Sequence, residues 1–304
     1  MSNEEKSFPK TVINWFPGHM AKTRRQIEED LKLVDIVIEI LDARIPVSSQ
    51  NPDLKNILKN KMVLKVLNKS DLADSNQNKK WKEYFTRQGN QAVIVDANNG
   101  YGIDETIRKI EEIMKEKLDM LSDKGRTGRK IRAMIVGIPN VGKSSFINRV
   151  AKRNSAEVGN KPGVTKSKQW IRINEKVELL DTPGVLWPKF QSEQVALNLS
   201  FTGTIKDDIL AQTEIAYQLL KYLLKNYIDN VCQRYNFKKA ELEEILYQDN
   251  EENINIYEIM QQIGKKRGAL ISGGNIDDEK TAKIILDDFR TGKLGNITLE
   301  KVNN

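Results

Sequence analysis

Residues 137–145 read Gly-Ile-Pro-Asn-Val-Gly-Lys-Ser-Ser, a spacing of glycines, lysine and hydroxyls suited to holding phosphates. The glycines let the backbone fold tightly, so that the amides around Val141 and Gly142 aim at phosphate oxygens. Lys143 can reach the β- and γ-phosphates, and the Ser144 hydroxyl, followed by Ser145, can ligate Mg2+. A second group, Asn68-Lys69-Ser70-Asp71, suits base recognition. The Asp71 carboxylate can accept two hydrogen bonds from the N1 and N2 edge of guanine, a donor pair that adenine lacks. Asn68 would hold the loop and the base edge, and the Lys69 stem would lie over the ring. Alone, on a chain rich in Lys and Asn, this tetrad reads equally well as a turn. Beside the phosphate loop it reads as guanine recognition. Asp96-Ala97-Asn98 would complete the base pocket through backbone amides. Asp181-Thr182-Pro183-Gly184 offers Asp181 to Mg2+ through water and the Gly184 amide to the γ-phosphate. Thr165, in Pro162-Gly163-Val164-Thr165, offers a further hydroxyl to the metal, on a loop that would order with GTP.

The elements that must position these residues alternate. Apolar runs at 36–41, 62–67, 92–95 and 131–136 read as buried parallel strands, with shorter β segments at 169–173 and 177–180. Helical patterns lie at 20–33, 53–59, 78–88, 104–121 and from the phosphate loop through Arg153. The tetrad, the phosphate loop and Asp181 each follow such a strand, where α/β sheets place ligand contacts. Their order is unusual. An ordinary GTPase runs from phosphate loop to base tetrad, whereas here the tetrad comes first, which implies a circular permutation. The apolar-free stretch 122–130 reads as the linker where unpermuted ends would meet. Beyond Asp207, a plausible N-cap, the pattern is wholly helical, with further helices at 238–247, 256–263 and 278–289.

The fold class expected is therefore α/β: a circularly permuted P-loop GTPase domain with a mainly parallel sheet flanked by helices, followed by a small all-α domain. The boundaries expected are a tail at 1–13, the GTPase domain at 14–188, a connector at 189–204, the helical domain at 205–290 and a tail at 291–304. These motifs in this order resemble the circularly permuted YlqF/YawG GTPases. Trp15-Phe16-Pro17-Gly18-His19-Met20 ahead of them and the run from Gly292 to Glu300 behind them extend the resemblance over nearly the whole chain. The resemblance implies a GTPase, cycling between GTP and GDP with Mg2+, that joins a late precursor of the large (50S) ribosomal subunit and leaves after hydrolysis. Two other functions are weighed: a GTP-dependent RNA-binding switch, and a small-subunit assembly GTPase with little intrinsic hydrolysis.

Val185 stands directly after Gly184, where many GTPases carry a water-positioning glutamine. An aliphatic side chain can neither orient nor deprotonate water. His19, the single histidine, follows a Pro-Gly turn, and the resemblance brings it near the γ-phosphate. Its ordinary pKa of about 6.5 suits water orientation. It reads alternatively as a helix-start residue that caps backbone or touches RNA, with the ribosome supplying the missing group. Asn140 has two readings of equal weight: a ligand to an activating K+, or a residue that stabilises the loop.

The chain has 304 residues, a net charge of +7 and a pI near 9.2, which suit a polyanionic partner such as rRNA and equally a solvated lysine-rich surface. Lys265, Lys266 and Arg267 are the candidate RNA contacts, against a solvated helix end. One cysteine and one histidine cannot supply a structural zinc site or an intrachain disulfide. No apolar run approaches the ~18 residues of a membrane span. The first residues also lack a signal-peptide pattern. The expectation is a cytoplasmic monomer.

Overall fold

The computed structural model describes residues 20–58, 61–116, 119–120, 129–154, 170–180, 192–205, 211–247 and 252–302. They form two units, one from residues 20–180 with 298–302, the other from 192–297.

The first unit is a six-stranded sheet covered on both faces. In chain order its elements are α1 (Met20–Leu31), β1 (Ile36–Asp42), α2 (Pro52–Ile57), β2 (Met62–Asn68), α3 (Ser75–Arg87), β3 (Gln91–Ile94) and α4 (Ile103–Ile113). They continue with β4 (Ile131–Val136), α5 (Lys143–Asn154), β5 (Trp170–Arg172) and β6 (Val177–Leu180). The strand order is β3-β2-β1-β4-β6-β5, parallel throughout except for β5. Every residue of β1 is buried, as expected of a strand with helices on both sides. On one face Ile27 and Leu31 of α1 pack with Leu54 and Leu58 against Val37, Met134 and Leu180. On the other, Trp81 and Phe85 of α3 cover Leu41, Leu67 and Ala92. Glu39, in the middle of β1, stands in register with Lys65 of β2 and pairs with it at 2.6 Å.

The chain steps outward from β1 to β2 and β3, then returns to place β4 on the other side of β1. That reversal is a topological switch point, where parallel sheets open a crevice at the carboxyl ends of their strands. The loops after β1, β2, β3 and β4 all leave from this edge.

The second unit is helical: α6 (Glu193–Phe201), α7 (Gln212–Asn226), α8 (Ile228–Tyr235), α9 (Lys239–Tyr247), α10 (Glu252–Lys266) and α11 (Asp278–Arg290). Its core joins Leu219, Leu220 and Leu223 of α7 to Ile259 and Ile263 of α10 and Ile285, Leu286 and Phe289 of α11, all buried. Arg234 grips Asp288 through two hydrogen bonds of 2.8 and 2.7 Å.

Three details depart from the sequence reading. Residues 193–201, read as part of a connector, form α6, capped by the Ser192 hydroxyl and closed by Arg290, which donates to the carbonyls of Ser200 and Phe201. Helix α8, unmarked in the sequence, is separated from α7 only by Tyr227 and stops where Asn236 turns left-handed at φ 56°. Residues 298–302, read as tail, belong to the first unit. There the Trp81 indole donates to the Glu300 carbonyl at 2.8 Å, and Val302 packs against the core that includes Phe85. Asp207, read as an N-cap, lies outside the described residues, and α7 begins at Gln212.

Candidate nucleotide site

Strand β4 ends at Val136 and α5 begins at Lys143, leaving residues 137–142 as a turn that wraps over the strand end. Asn140 sits at φ 62°, and Gly142 at φ 92°. A Cβ at Gly142 would collide with the Asn68 side-chain nitrogen, so this position needs glycine for both conformation and space. The Phe146 amide donates to Gly142 O at 3.0 Å, which starts the helix there. The amides ahead of it gather at its positive end, a ready anion site. Lys143 is buried, with Nζ donating to Ile138 O at 2.7 Å, so its charge lies across the mouth of the turn. Ser144 and Ser145 are exposed on the first turn of α5.

The tetrad follows β2 on the same edge. Asn68 is its anchor. Buried to 1%, it donates from Nδ2 to Val141 O at 2.8 Å and accepts the Ala97 amide on Oδ1 at 3.1 Å. One side chain thus fastens three loops, those after β2, β3 and β4, which lie far apart in the chain. Lys69 takes a left-handed backbone at φ 60° and its Nζ reaches Asp42 at 3.0 Å. Ser70 is fixed through its backbone, its amide donating to Val95 O and its carbonyl accepting from Asn78. The Asp71 carboxyl is raised by partial burial and by the negative charge of Asp96 nearby.

In the loop after β3 the geometry differs from expectation. The amides of Asp96, Ala97 and Asn98, assigned from sequence to the base, donate within the protein to Tyr101 O, Asn68 Oδ1 and Asp96 Oδ1 respectively. The Asp96 carboxylate also accepts from the Asn99 amide at 3.2 Å and from Asn99 Nδ2 at 2.5 Å. This short acidic loop folds around its own side chain, so the three amides fix the shape of the pocket wall.

Sequence reasoning passed over three residues at this edge. Asp42, at the end of β1, is buried and chelated by Arg44 through Nε at 2.9 Å and Nη2 at 2.7 Å. Burial alone would raise its carboxyl, but the charges of Arg44 and Lys69, both hydrogen-bonded to it, hold it well below the usual carboxylate range. Arg149 on α5 donates to the carbonyls of Ala97 and Asn98 and so clasps the loop after β3. The available signal was an acid and an arginine directly after an apolar strand, at the edge already carrying the tetrad.

Of the other residues the sequence singles out, His19, Thr165, Asp181 and Gly184 lie outside the described residues. The Ser144 hydroxyl is a hard oxygen donor at the mouth of a phosphate-sized turn, and such a donor fits Mg2+. In the helical unit Lys266 and Arg267 are engaged internally. Lys266 donates to Asn236 O at 2.8 Å and lies 4.1 Å from the centre of the Phe237 ring. Arg267 donates to Arg234 O at 2.9 Å and stacks near Tyr235. Lys265 is exposed.

A parallel sheet with a phosphate turn at its switch point, fastened by one asparagine to an Asn-Lys-Ser-Asp loop, defines a P-loop GTPase. Residues 132–259 match the family model described as 50S ribosome-binding GTPase. Over 290 residues the chain is 48% identical to ribosome biogenesis GTPase A of Bacillus licheniformis, covering 95% of this chain and 98% of that one. It is 47% identical to the Bacillus cereus protein of the same name, covering 95% and 94%. Among solved structures, GDP-bound YlqF of Thermotoga maritima aligns with a TM-score of 0.62 at 25% identity, covering 92% of this chain and all of that one. The chain belongs to the ribosome biogenesis GTPase A family: it binds and hydrolyses GTP and serves ribosome biogenesis.

Proposed function

We propose that the chain binds a precursor of the large (50S) ribosomal subunit in its GTP form, hydrolyses GTP there, and leaves in its GDP form. The carrying observation is that the match to a 50S ribosome-binding GTPase family, residues 132–259, runs from the phosphate-loop strand into the helical unit. Nucleotide sensing and subunit contact then share one continuous stretch of chain.

In this reading Asp71 pairs with the guanine N1 and N2 edge, and Lys69, held by Asp42, lies along the base. The amides of residues 140–145 and the end of α5 hold the phosphates, while Lys143 neutralises charge that builds between the β- and γ-phosphates. The Ser144 hydroxyl, with Thr165 and Asp181, would hold Mg2+, which when bound draws charge from the phosphate oxygens. Gly184 meets the γ-phosphate through its amide. Val185 cannot position water, so His19 takes that part and turnover is slow until the subunit completes the site. Asn140 is assigned to K+ as an activator. The rRNA contacts include Lys265, with Lys266 and Arg267 shaping the helix end beside it, and the protein acts as a monomer.

Sedimentation with purified large-subunit precursors tests the reading. The protein should pellet with them in a non-hydrolysable GTP analogue and stay in solution in GDP. Equal sedimentation in both nucleotides, or none in either, contradicts it.

A further inference from the structure

Residues 298–302 touch the nucleotide unit at the loops that carry the tetrad and its supports. The Glu300 carboxylate accepts the Val47 amide at 2.6 Å, the Ser48 amide at 3.0 Å and the Ser48 hydroxyl. One residue earlier, the Leu299 amide donates to Arg44 O at 2.8 Å. The segment 44–48 after β1 is therefore held by two consecutive residues of the C-terminal strap. Arg44 in turn chelates Asp42, and Asp42 holds Lys69.

A second route reaches the same tetrad from its other end. Thr298, fully buried, accepts the Asp74 amide on its hydroxyl at 3.0 Å. Asp74 is the N-cap of α3, its carboxylate accepting the amides of Asn76 and Gln77. The Val302 amide donates to Gln77 Oε1 at 3.0 Å, and Trp81 on the next turn donates to Glu300 O. Lys69 and Asp71 thus lie between two attachments, and both lead to residues 298–302.

We infer that this strap, anchored by Glu300, is a positioning element for guanine recognition. It sets the loop that carries Lys69 and Asp71, and with it the preference for guanine over bases lacking the 2-amino group. The chemistry favours a strong anchor. A carboxylate taking three donors makes charge-assisted bonds, about twice as strong as neutral ones. The left-handed backbone at Lys69 is costly for a residue with a Cβ and needs surrounding structure to hold it. The inference rests on reading Asn68–Asp71 as the base-reading loop, so its test must separate the two.

Fluorescent GDP and IDP, which differ only in the 2-amino group that Asp71 would read, serve as probes on the full chain. Wild type should prefer GDP; equal affinity for the two would sink the tetrad reading itself. Glu300→Ala and Glu300→Gln should weaken GDP binding about tenfold, with a smaller loss for IDP, so that the GDP-over-IDP ratio falls. The Gln variant places an amide donor against the Val47 and Ser48 donors. Glu300→Asp should restore part of the ratio. Thr298→Val, nearly isosteric, provides a second variant should the Glu300 changes unfold the protein, and it should lower the ratio as well. A wild-type ratio in folded Glu300→Ala and Thr298→Val, judged by thermal melts with GDP absent, overturns the inference. So does a loss that is equal for both nucleotides.

Discussion

Asn68 does the work of several residues, and its removal should show this. It is buried, so Asn68→Ala would strand Val141 O and the Ala97 amide without their present partner. An unsatisfied buried group costs about 1–3 kcal/mol. Two of them predict a loss of about 2–6 kcal/mol of stability, read as a lower thermal midpoint without nucleotide, and weaker binding of fluorescent GDP because three loops of the site lose their common tie. The tetrad and the phosphate loop were legible because each is a short run of special residue types after an apolar strand. Asp42, Arg44 and Arg149 were not, because their roles depend on which loops meet in space. Arg149 shows the difficulty well: on a helix it reads as one more solvated cation, and only the fold brings it to the carbonyls of Ala97 and Asn98.

Among elements, the strands were the most readable. Continuous apolar runs such as 36–41 have few alternatives once helices alternate with them. Helix α6 was hidden because its buried face includes Asn198 and Ser200, so apolar spacing breaks down. Helix α8 was hidden by the lack of any linker after α7. Its position against α11 depends on Arg234 and Asp288, the latter only 4% exposed. Among the described residues, Arg234→Ala leaves that carboxylate with Lys293 at 3.7 Å as its remaining ion-pair partner. Partial exposure of Arg234 moderates the usual cost of a broken buried pair, giving about 2–3 kcal/mol of lost stability. Urea unfolding followed by circular dichroism should show the lower midpoint. An Arg234→Met, Asp288→Leu pair should recover much of it, since the desolvation cost of the charge goes with the pair.

At the scale of the molecule, the permuted order puts the chain's exit from the nucleotide unit after β6, beyond Asp181, and its return at residue 298. In chain order the helical unit is thus spliced between β6 and residues 298–302. Motif order made the permutation legible in the sequence. The return was not, because the anchors of 298–302 lie more than two hundred residues away, as with Val47 and Glu300 at a separation of 253. We propose that the catalytic set of this GTPase is incomplete on its own and that a large ribosomal subunit completes it. The decisive measurement is GTP turnover by the purified protein in potassium buffer, with and without purified large subunits. Slow turnover alone, a rise of about tenfold or more with large subunits and none with small ones is the expected result. Fast turnover alone, or the same rate with and without large subunits, would contradict it.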